Sequence, residues 1–327
     1  MRLFFSIVIP YHNSSATIGR LLASIAKSKK APTLEVIVVD DASFEEIRNP
    51  KSEIRNKLKI KIIKLKTNRG PAVARNRGVE IARGKFVVFL DSDVELFPDT
   101  LHNLAKVFLD DPDVVALTGV WVKEQRSKDF FPNFKALRDW SYWINERDKS
   151  GYYFLFSTRI AAIKKSVFQR LGGFDEQYPA PLVEDIELTY RIARRYAIIF
   201  APNVRVRHEF EGFWPIAKKY FLRAFYWTRL YQRRKKFDPV ATTWQEATTT
   251  ISGVAVVSFF PLSLIGQIGQ IGLICVLFLH LFLIRKFLAF MYHEKGLWFA
   301  IRGFFTGLVL YCFIFAGALA GKLKLGR

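Results

Sequence analysis

From Ile251 to Ile284 the chain runs 34 residues without an Asp, Glu, Lys or Arg. About 20 apolar residues suffice to cross a hydrocarbon core of about 30 Å, so a run of this length is a membrane signal. As one unbroken helix it would reach about 51 Å, too long for a single crossing. Pro261, Gly266, Gln267 and Gln270 mark a break, which predicts two short spans at about 247–265 and 268–284. Gly303–Gly321 is uncharged as well and gives a third, at about 300–321.

The remainder reads differently. Residues 1–212 mix apolar runs with charges as a folded α/β domain does, with a first half at 1–98 and a second at 99–212. Between them and the apolar tail, 213–246 forms a linker in which Phe213–Phe237 holds eight cations and no acid: Lys218, Lys219, Arg223, Arg229, Arg233, Arg234, Lys235 and Lys236. The chain's net charge of +21 admits nucleic acid, anionic lipid or anionic substrates as partners. Because the cations and the interleaved Trp214, Tyr220, Phe221, Phe225, Tyr226, Trp227 and Tyr231 adjoin the apolar run, they predict an amphipathic helix on anionic membrane lipid, and nucleic acid is set aside. Three spans put this linker and the loop with Arg285, Lys286 and Lys295 in the cytoplasm, as positive-inside expects, but leave Lys322, Lys324 and Arg327 outside. Two spans reverse that; three are preferred on length.

Cys275 and Cys312 both lie in apolar segments, which excludes a disulfide framework and a cysteine-based zinc site. Leu3–Ile9 is stopped by Pro10 and lacks a small-residue cleavage site, so it reads as a buried first strand and not as a signal peptide.

Within the α/β domain, Ser6–Pro10, Leu34–Asp41, Lys59–Leu65 and Lys85–Leu90 read as strands, and Ser14–Lys27 and Pro71–Arg83 as helices. Strands alternating with helices predict a mostly parallel, doubly wound sheet, whose ligands gather beyond the carboxyl ends of the strands. Those ends carry Pro10-Tyr11-His12-Asn13, Asp40-Asp41-Ala42-Ser43 and Asp91-Ser92-Asp93. Two carboxylates at i and i+2 after a strand can face one Mg²⁺ or Mn²⁺, which in turn takes diphosphate oxygens. Each motif alone has a plain alternative: Asp40 and Asp41 can close an Asx turn or cap a helix, Arg75 can be a surface charge, and Glu184-Asp185 can serve a helix dipole. Residues 99–210 are less regular, with aromatics at Trp140, Tyr142, Trp143, Tyr152 and Tyr153.

Taken together, "SIVIPYHN", "VIVVDDAS", "NRGPAVARNRGVEIARGKFVVFLDSD", "GGFDE" and "VEDIELTYRI", in this order over residues 4–210, resemble the family 2 inverting glycosyltransferases with the GT-A fold. The resemblance implies a nucleotide-sugar donor, UDP- or GDP-linked, held by Pro10, His12, Asp40, Asp41, Asn68, Gly70, Arg75, Asn76, Asp91 and Ser92. It implies Mg²⁺ or Mn²⁺ on Asp91 and Asp93, with His208 a further candidate ligand whose imidazole suits Mn²⁺. Asp185 takes the general-base role, Glu184 orients acceptor or base, and Gly172, Gly173, Phe174 and Asp175 form an acceptor-side loop in which glycine permits positive φ. The basic aromatic linker and the apolar tail place such a domain against the bilayer, so the expected acceptor is lipid-linked or a glycan, in cell-envelope glycan synthesis at the cytoplasmic face of the cell (inner) membrane, with the chain multi-pass. The Gln-x-x-Arg-Trp signature of processive synthases is absent, Arg223-Ala-Phe-Tyr-Trp227 being a loose echo, so long-polymer synthesis is not expected. A polyprenyl-phosphate sugar synthase and, from another class, a non-catalytic membrane scaffold that kept the fold are the competing functions.

Overall fold

The computed structural model describes residues 3–45, 58–142, 154–178, 180, 182–237 and 243–323. Trp143, Tyr152, Tyr153, Lys324 and Arg327 lie outside the described residues. The chain groups into two compact units, Met1–Val122 with Gly151–Glu209, and Lys123–Ser150 with Phe210–Arg327.

The first unit is built on one eight-stranded sheet. In chain order its elements are β1 (Phe5–Tyr11), α1 (Ser15–Ala26), β2 (Leu34–Asp40), β3 (Ile60–Lys64), α2 (Pro71–Ile81), β4 (Phe86–Leu90), β5 (Val94–Leu96), α3 (Thr100–Asp110) and β6 (Ala116–Trp121). After helix α4 (Phe130–Ser141), which belongs to the second unit, come β7 (Ile160–Lys164), α5 (Lys165–Arg170), α6 (Glu184–Ala193) and β8 (Ile198–His208). The strands are ordered β3-β2-β1-β4-β7-β6-β8-β5. All five residues of β4 are buried, and each large apolar side chain so placed contributes about 1.5–3 kcal/mol, which holds this strand in the middle of the sheet.

The expected mostly parallel sheet holds for four of the seven pairings, those that join β3, β2, β1 and β4 and that of β6 with β8. β7 runs antiparallel to both β4 and β6, and β5 antiparallel to β8, so the sheet as a whole is mixed. The strand–helix–strand alternation that forces parallel crossovers stops at β4, since β5 follows it after only three residues. Strand order reverses between β1 and β4, the switch point at which open α/β sheets leave a crevice beyond their carboxyl edge.

At the opposite edge a buried polar knot ties three strands. The Glu35 carboxylate accepts from Ser6 Oγ (2.7 Å), the Arg83 backbone N–H (2.7 Å) and Lys61 Nζ (2.7 Å), and Gly84 N–H donates to Ser6 Oγ at 2.8 Å. Burial works to raise the Glu35 pKa, but the hydrogen bonds from Lys61, Ser6 and Arg83 outweigh it and the net shift is downward.

The second unit is helical: α4, α7 (Phe213–Arg234), α8 (Trp244–Ser263), α9 (Gln267–Lys295) and α10 (Leu297–Leu323). Helix α4, which lies within the expected domain 99–212, groups here because Phe131, Phe134 and Leu137 pack with Ile216, Met291, Ala300 and Leu310. The predicted break falls at Leu264–Gly266, Pro261 being accommodated inside α8. The expected loop after Ile284 is instead helical as far as Lys295, since no Gly or Pro lies between Ile284 and Gly296. Among the described residues two helices, α9 and α10, are long and apolar enough to cross a membrane, by length and composition. Helix α7 does not stand alone: a Cβ on Gly317 or Gly321 would sit 2.1 Å from the Phe221 carbonyl oxygen or 2.5 Å from that of Phe225. The two helix backbones thus touch through a small-x-x-x-small face on α10.

Because the Glu35 pKa is lowered on folding, its stabilisation is present at neutral pH and is lost as pH falls through the folded-state value. Glu35→Gln is expected to cost about 2 kcal/mol at neutral pH. It should also flatten the acid limb of a plot of Tm against pH, measured on the purified chain.

Candidate functional site

Four clusters sit at the carboxyl edge of the sheet. The first is centred on Arg75 of α2, which is 2 % exposed. Its Nη2 donates to Asp91 Oδ1 at 2.7 Å and its Nη1 to Glu184 Oε1 at 2.8 Å, so one guanidinium joins the end of β4 to the first turn of α6. The second Glu184 oxygen accepts the Leu182 N–H at 2.9 Å. Burial alone would discourage the Arg75 charge, yet Asp91 and Glu184 more than offset it and its pKa is raised. Arg75 is therefore not a surface charge, and its guanidinium is engaged with carboxylates. Asp185, next to Glu184, is half-buried and its Oδ1 accepts the Ile186 N–H at 2.8 Å.

The second cluster is Asp93 with His208. Antiparallel pairing of β5 and β8 sets Val94 opposite His208, which brings His208 Nε2 to 3.4 Å from Asp93 Oδ2. The Asp93 side chain is 42 % exposed, that of Asp91 28 %. Carboxylate oxygens and an imidazole nitrogen at a half-open edge are a donor set suited to Mn²⁺. Among the described residues no three His, Cys, Asp or Glu side chains are already gathered at ligating distance. Asp91 is turned to Arg75. Ser92 lies half-buried between the two carboxylates.

The third cluster joins the ends of β1 and β2. His12 Nδ1–H donates to the Asp41 carbonyl at 2.8 Å, leaving Nε2 to accept from Asn68 Nδ2 at 2.9 Å. Both Asp41 carboxylate oxygens are met by backbone amides, Arg69 N–H at 2.8 Å and Gly70 N–H at 2.7 Å. Gly70, at φ 88°, then starts α2 with Pro71 in its first turn. The Asp41 side chain thus does what a cap does, and its carboxylate fixes the loop that delivers Arg75. Asp40 Oδ1 accepts Ser43 N–H at 2.8 Å, which closes the turn after β2. Pro10 sits in β1 opposite Val39 of β2.

The fourth cluster holds the Gly172–Asp175 loop. Asn76, placed by resemblance along the donor, instead spends its amide on this loop: Oδ1 accepts Phe174 N–H and Nδ2 donates to the Phe174 carbonyl, each at 2.9 Å. Gly172 and Gly173 have φ of 81° and 70°, and a Cβ on Gly173 would lie 2.6 Å from Asn76 Oδ1. Asp175 Oδ1 accepts Gln177 N–H at 3.0 Å.

Three residues of this edge had no role assigned from sequence. Arg191 donates to the Leu171 carbonyl (2.6 Å) and the Gly173 carbonyl (2.7 Å), holding the loop at two further points. Its signal was the i, i+4 spacing from Glu187 inside "VEDIELTYRI". Asn13 (φ 49°) and Ser43 lace the β1 and β2 ends together, Asn13 N–H donating to Ser43 Oγ at 3.0 Å.

A mixed sheet with polar loops at its switch point and carboxylates beyond its strand ends is the arrangement of the GT-A fold. The model of "Glycosyl transferase family 2" matches residues 6–172, more than half of the chain, and the chain belongs to that family. It is 40 % identical over 109 residues to the poly(ribitol-phosphate) beta-N-acetylglucosaminyltransferase TarS of Staphylococcus aureus, covering 33 % of this chain and 19 % of that one. It is 37 % identical over 120 residues to the succinoglycan biosynthesis protein ExoO of Rhizobium meliloti, covering 34 % of each. The matched part thus spans about a fifth to a third of these curated relatives. Mannosyltransferase PcManGT from Pyrobaculum calidifontis, solved with GDP-Man and Mn²⁺, shares the fold at a TM-score of 0.60 and 20 % identity, over 100 % of this chain and 89 % of that one.

Removing Arg75 would leave Glu184 charged and buried without its cation. Arg75→Met is expected to lower stability by about 3–5 kcal/mol, read from thermal unfolding. The double variant Arg75→Met/Glu184→Gln should recover part of that loss, since it also removes the stranded charge.

Proposed function

We propose that this chain is a membrane-anchored, metal-dependent inverting glycosyltransferase that moves a sugar from a UDP- or GDP-linked donor to a lipid-linked or glycan acceptor. The observation that carries it is the Arg75 bridge, which joins the Asp91-Ser92-Asp93 turn to the Glu184-Asp185 helix start through contacts of 2.7 and 2.8 Å. Donor-side and acceptor-side carboxylates are thereby held in one frame. Asp185 is the group that takes the acceptor hydroxyl proton; inverting transfer needs one such base and no covalent enzyme intermediate. Glu184 positions it through Arg75. Asp93 and His208, with Asp91, would hold Mn²⁺ or Mg²⁺, which supplies electrostatic stabilisation of the departing diphosphate. His12, Asn68 and Gly70 line the nucleotide side, with Asp40, Asp41 and Pro10 setting their frame. The Gly172–Asp175 loop, pinned by Asn76 and Arg191, faces the acceptor.

Purified chain given UDP- and GDP-sugars with lipid-linked and soluble acceptors should release nucleotide only with a divalent cation and with the lipid-linked acceptor. Asp185→Asn is expected to lower transfer to a hydroxyl by about 10²–10⁴ while donor binding persists. A polyprenyl-phosphate acceptor that tolerates Asp185→Asn would identify the synthase alternative. Transfer to soluble protein alone would refute the proposal, and an Asp93→Ala chain with unchanged cation dependence would remove the metal from it.

The same proposal anchors the chain in the cell membrane through α8, α9 and α10, with the carboxylate edge in the cytoplasm. Exposed apolar side chains support it: Leu264, Ile265 and Ile268 are 77, 82 and 88 % exposed. Helix α8, of 20 residues and about 30 Å, serves as a third crossing. Three crossings bring the α9–α10 turn back to the cytoplasmic side, where Glu294 pairs with Lys123, the second residue after β6, at 2.5 Å. In a background without Cys275 and Cys312, cysteines at Ser263 and Lys295 should be labelled by impermeant reagents from opposite faces of oriented vesicles. Labelling of both from one face would overturn the three-span arrangement.

A further inference from the structure

Helices α7, α8 and α10 line a half-open groove of about 280 Å³, close to the lower bound of about 300 Å³ for small-molecule sites. Its interior is formed by Ala224 and Trp227 of α7, Thr250 and Ile251 of α8, and Ile314 and Ala318 of α10. Tyr231 and Phe237 extend the lining, their ring centroids 4.8 Å apart, and Phe237 is 48 % exposed, which marks the outer end.

Three observations define what fits. Arg233, Arg234, Lys235 and Lys236 lie between Tyr231 and Phe237 in the chain, and Arg233, Lys235 and Lys236 are exposed there. The start of α8 is there too, capped by Thr243, whose Oγ1 accepts Glu246 N–H at 3.1 Å, and a helix start adds positive potential. Glu246 also lines the groove, but its charge is offset by Arg138 at 2.8 Å. Deeper in, Thr250 Oγ1 and Trp227 Nε1 are buried with no hydrogen-bond partner, although buried donors are ordinarily paired.

We propose that this groove binds one anionic diacyl phospholipid, with an acyl chain inside, the phosphate on the Arg233–Lys236 cations, and ester carbonyls accepting from Thr250 and Trp227. The two unpaired donors select this occupant over an isoprenoid chain, which carries no acceptor beneath its phosphate. The site rests on the membrane anchoring argued above and is separate from the donor and acceptor groups of the carboxylate edge.

The test uses the full chain purified in mild detergent and offered equal phosphatidylglycerol, phosphatidylcholine and polyprenyl phosphate, with native mass spectrometry reading the adducts. Phosphatidylglycerol is expected to be retained at least about five-fold over phosphatidylcholine, as expected for even one cation near the headgroup. Ala318→Trp and Ala247→Trp, from different helices, should each abolish the adduct while nucleotide binding shows that the chain is folded. Thr250→Val should weaken it about five-fold, the effect of one hydrogen bond, without changing polyprenyl phosphate binding. Equal retention in wild type and both Trp variants overturns the proposal. So does polyprenyl phosphate displacing phosphatidylglycerol from wild type. A chain that stays soluble without detergent would instead remove the membrane anchoring on which the site depends.

Discussion

A guanidinium buried between two carboxylates organises this molecule. Arg75 can stay charged at 2 % exposure only because Asp91 and Glu184 both bond to it, and those two residues come from distant parts of the sequence. Taking the charges of Arg75 and Glu184 out of water is expensive unless their geometry is fixed. The structure therefore needs α2, the end of β4 and the start of α6 in register, and several local features serve that end. Asp41 caps the Asn68–Gly70 turn so that α2 begins in the right place. Asn76, the next residue of α2, locks the Gly172–Asp175 loop that leads into α6.

Much of this was readable from residues alone, for a physical reason. Five buried residues followed by Asp-Ser-Asp can only be a central strand ending in a polar turn, and glycines at 172 and 173 announce positive φ. What could not be read was pairing over long separations. Arg75 and Glu184 are 109 residues apart, and nothing local in "PAVARNRG" distinguishes a guanidinium that meets carboxylates from one that meets phosphate. Asn76 was assigned to the donor for the same reason. The antiparallel insertion of β7 between β4 and β6 was equally hidden, because period and composition carry no information about strand direction.

The helical unit shows a related limit. Composition marks α7 as basic and aromatic, hence a surface helix, but the small face at Gly317 and Gly321 brings it against α10. Small residues four apart on an apolar helix encode close approach, and they are silent about the partner until the packing is seen. Lys135 and Arg138 of α4 follow the same logic: both are largely buried, and both lie over the Tyr220 ring, at 5.4 and 5.2 Å. Aromatic faces let long cationic side chains be covered without stranding their charge.

Charge distribution connects the two halves of the story. The chain as a whole carries +21, yet the end of β4 and the start of α6 bring Asp91, Asp93, Glu184 and Asp185, of which Asp91 and Glu184 bond to Arg75. A concave edge with an excess of carboxylates focuses negative potential and favours cations over bare diphosphate. Under the proposed function, a divalent cation would offset that charge when the anionic donor binds. Asp91 and Glu184 bond to Arg75, whereas Asp93 lies beside His208 and Asp185 stands at the start of α6. That division follows from the Arg75 bridge itself.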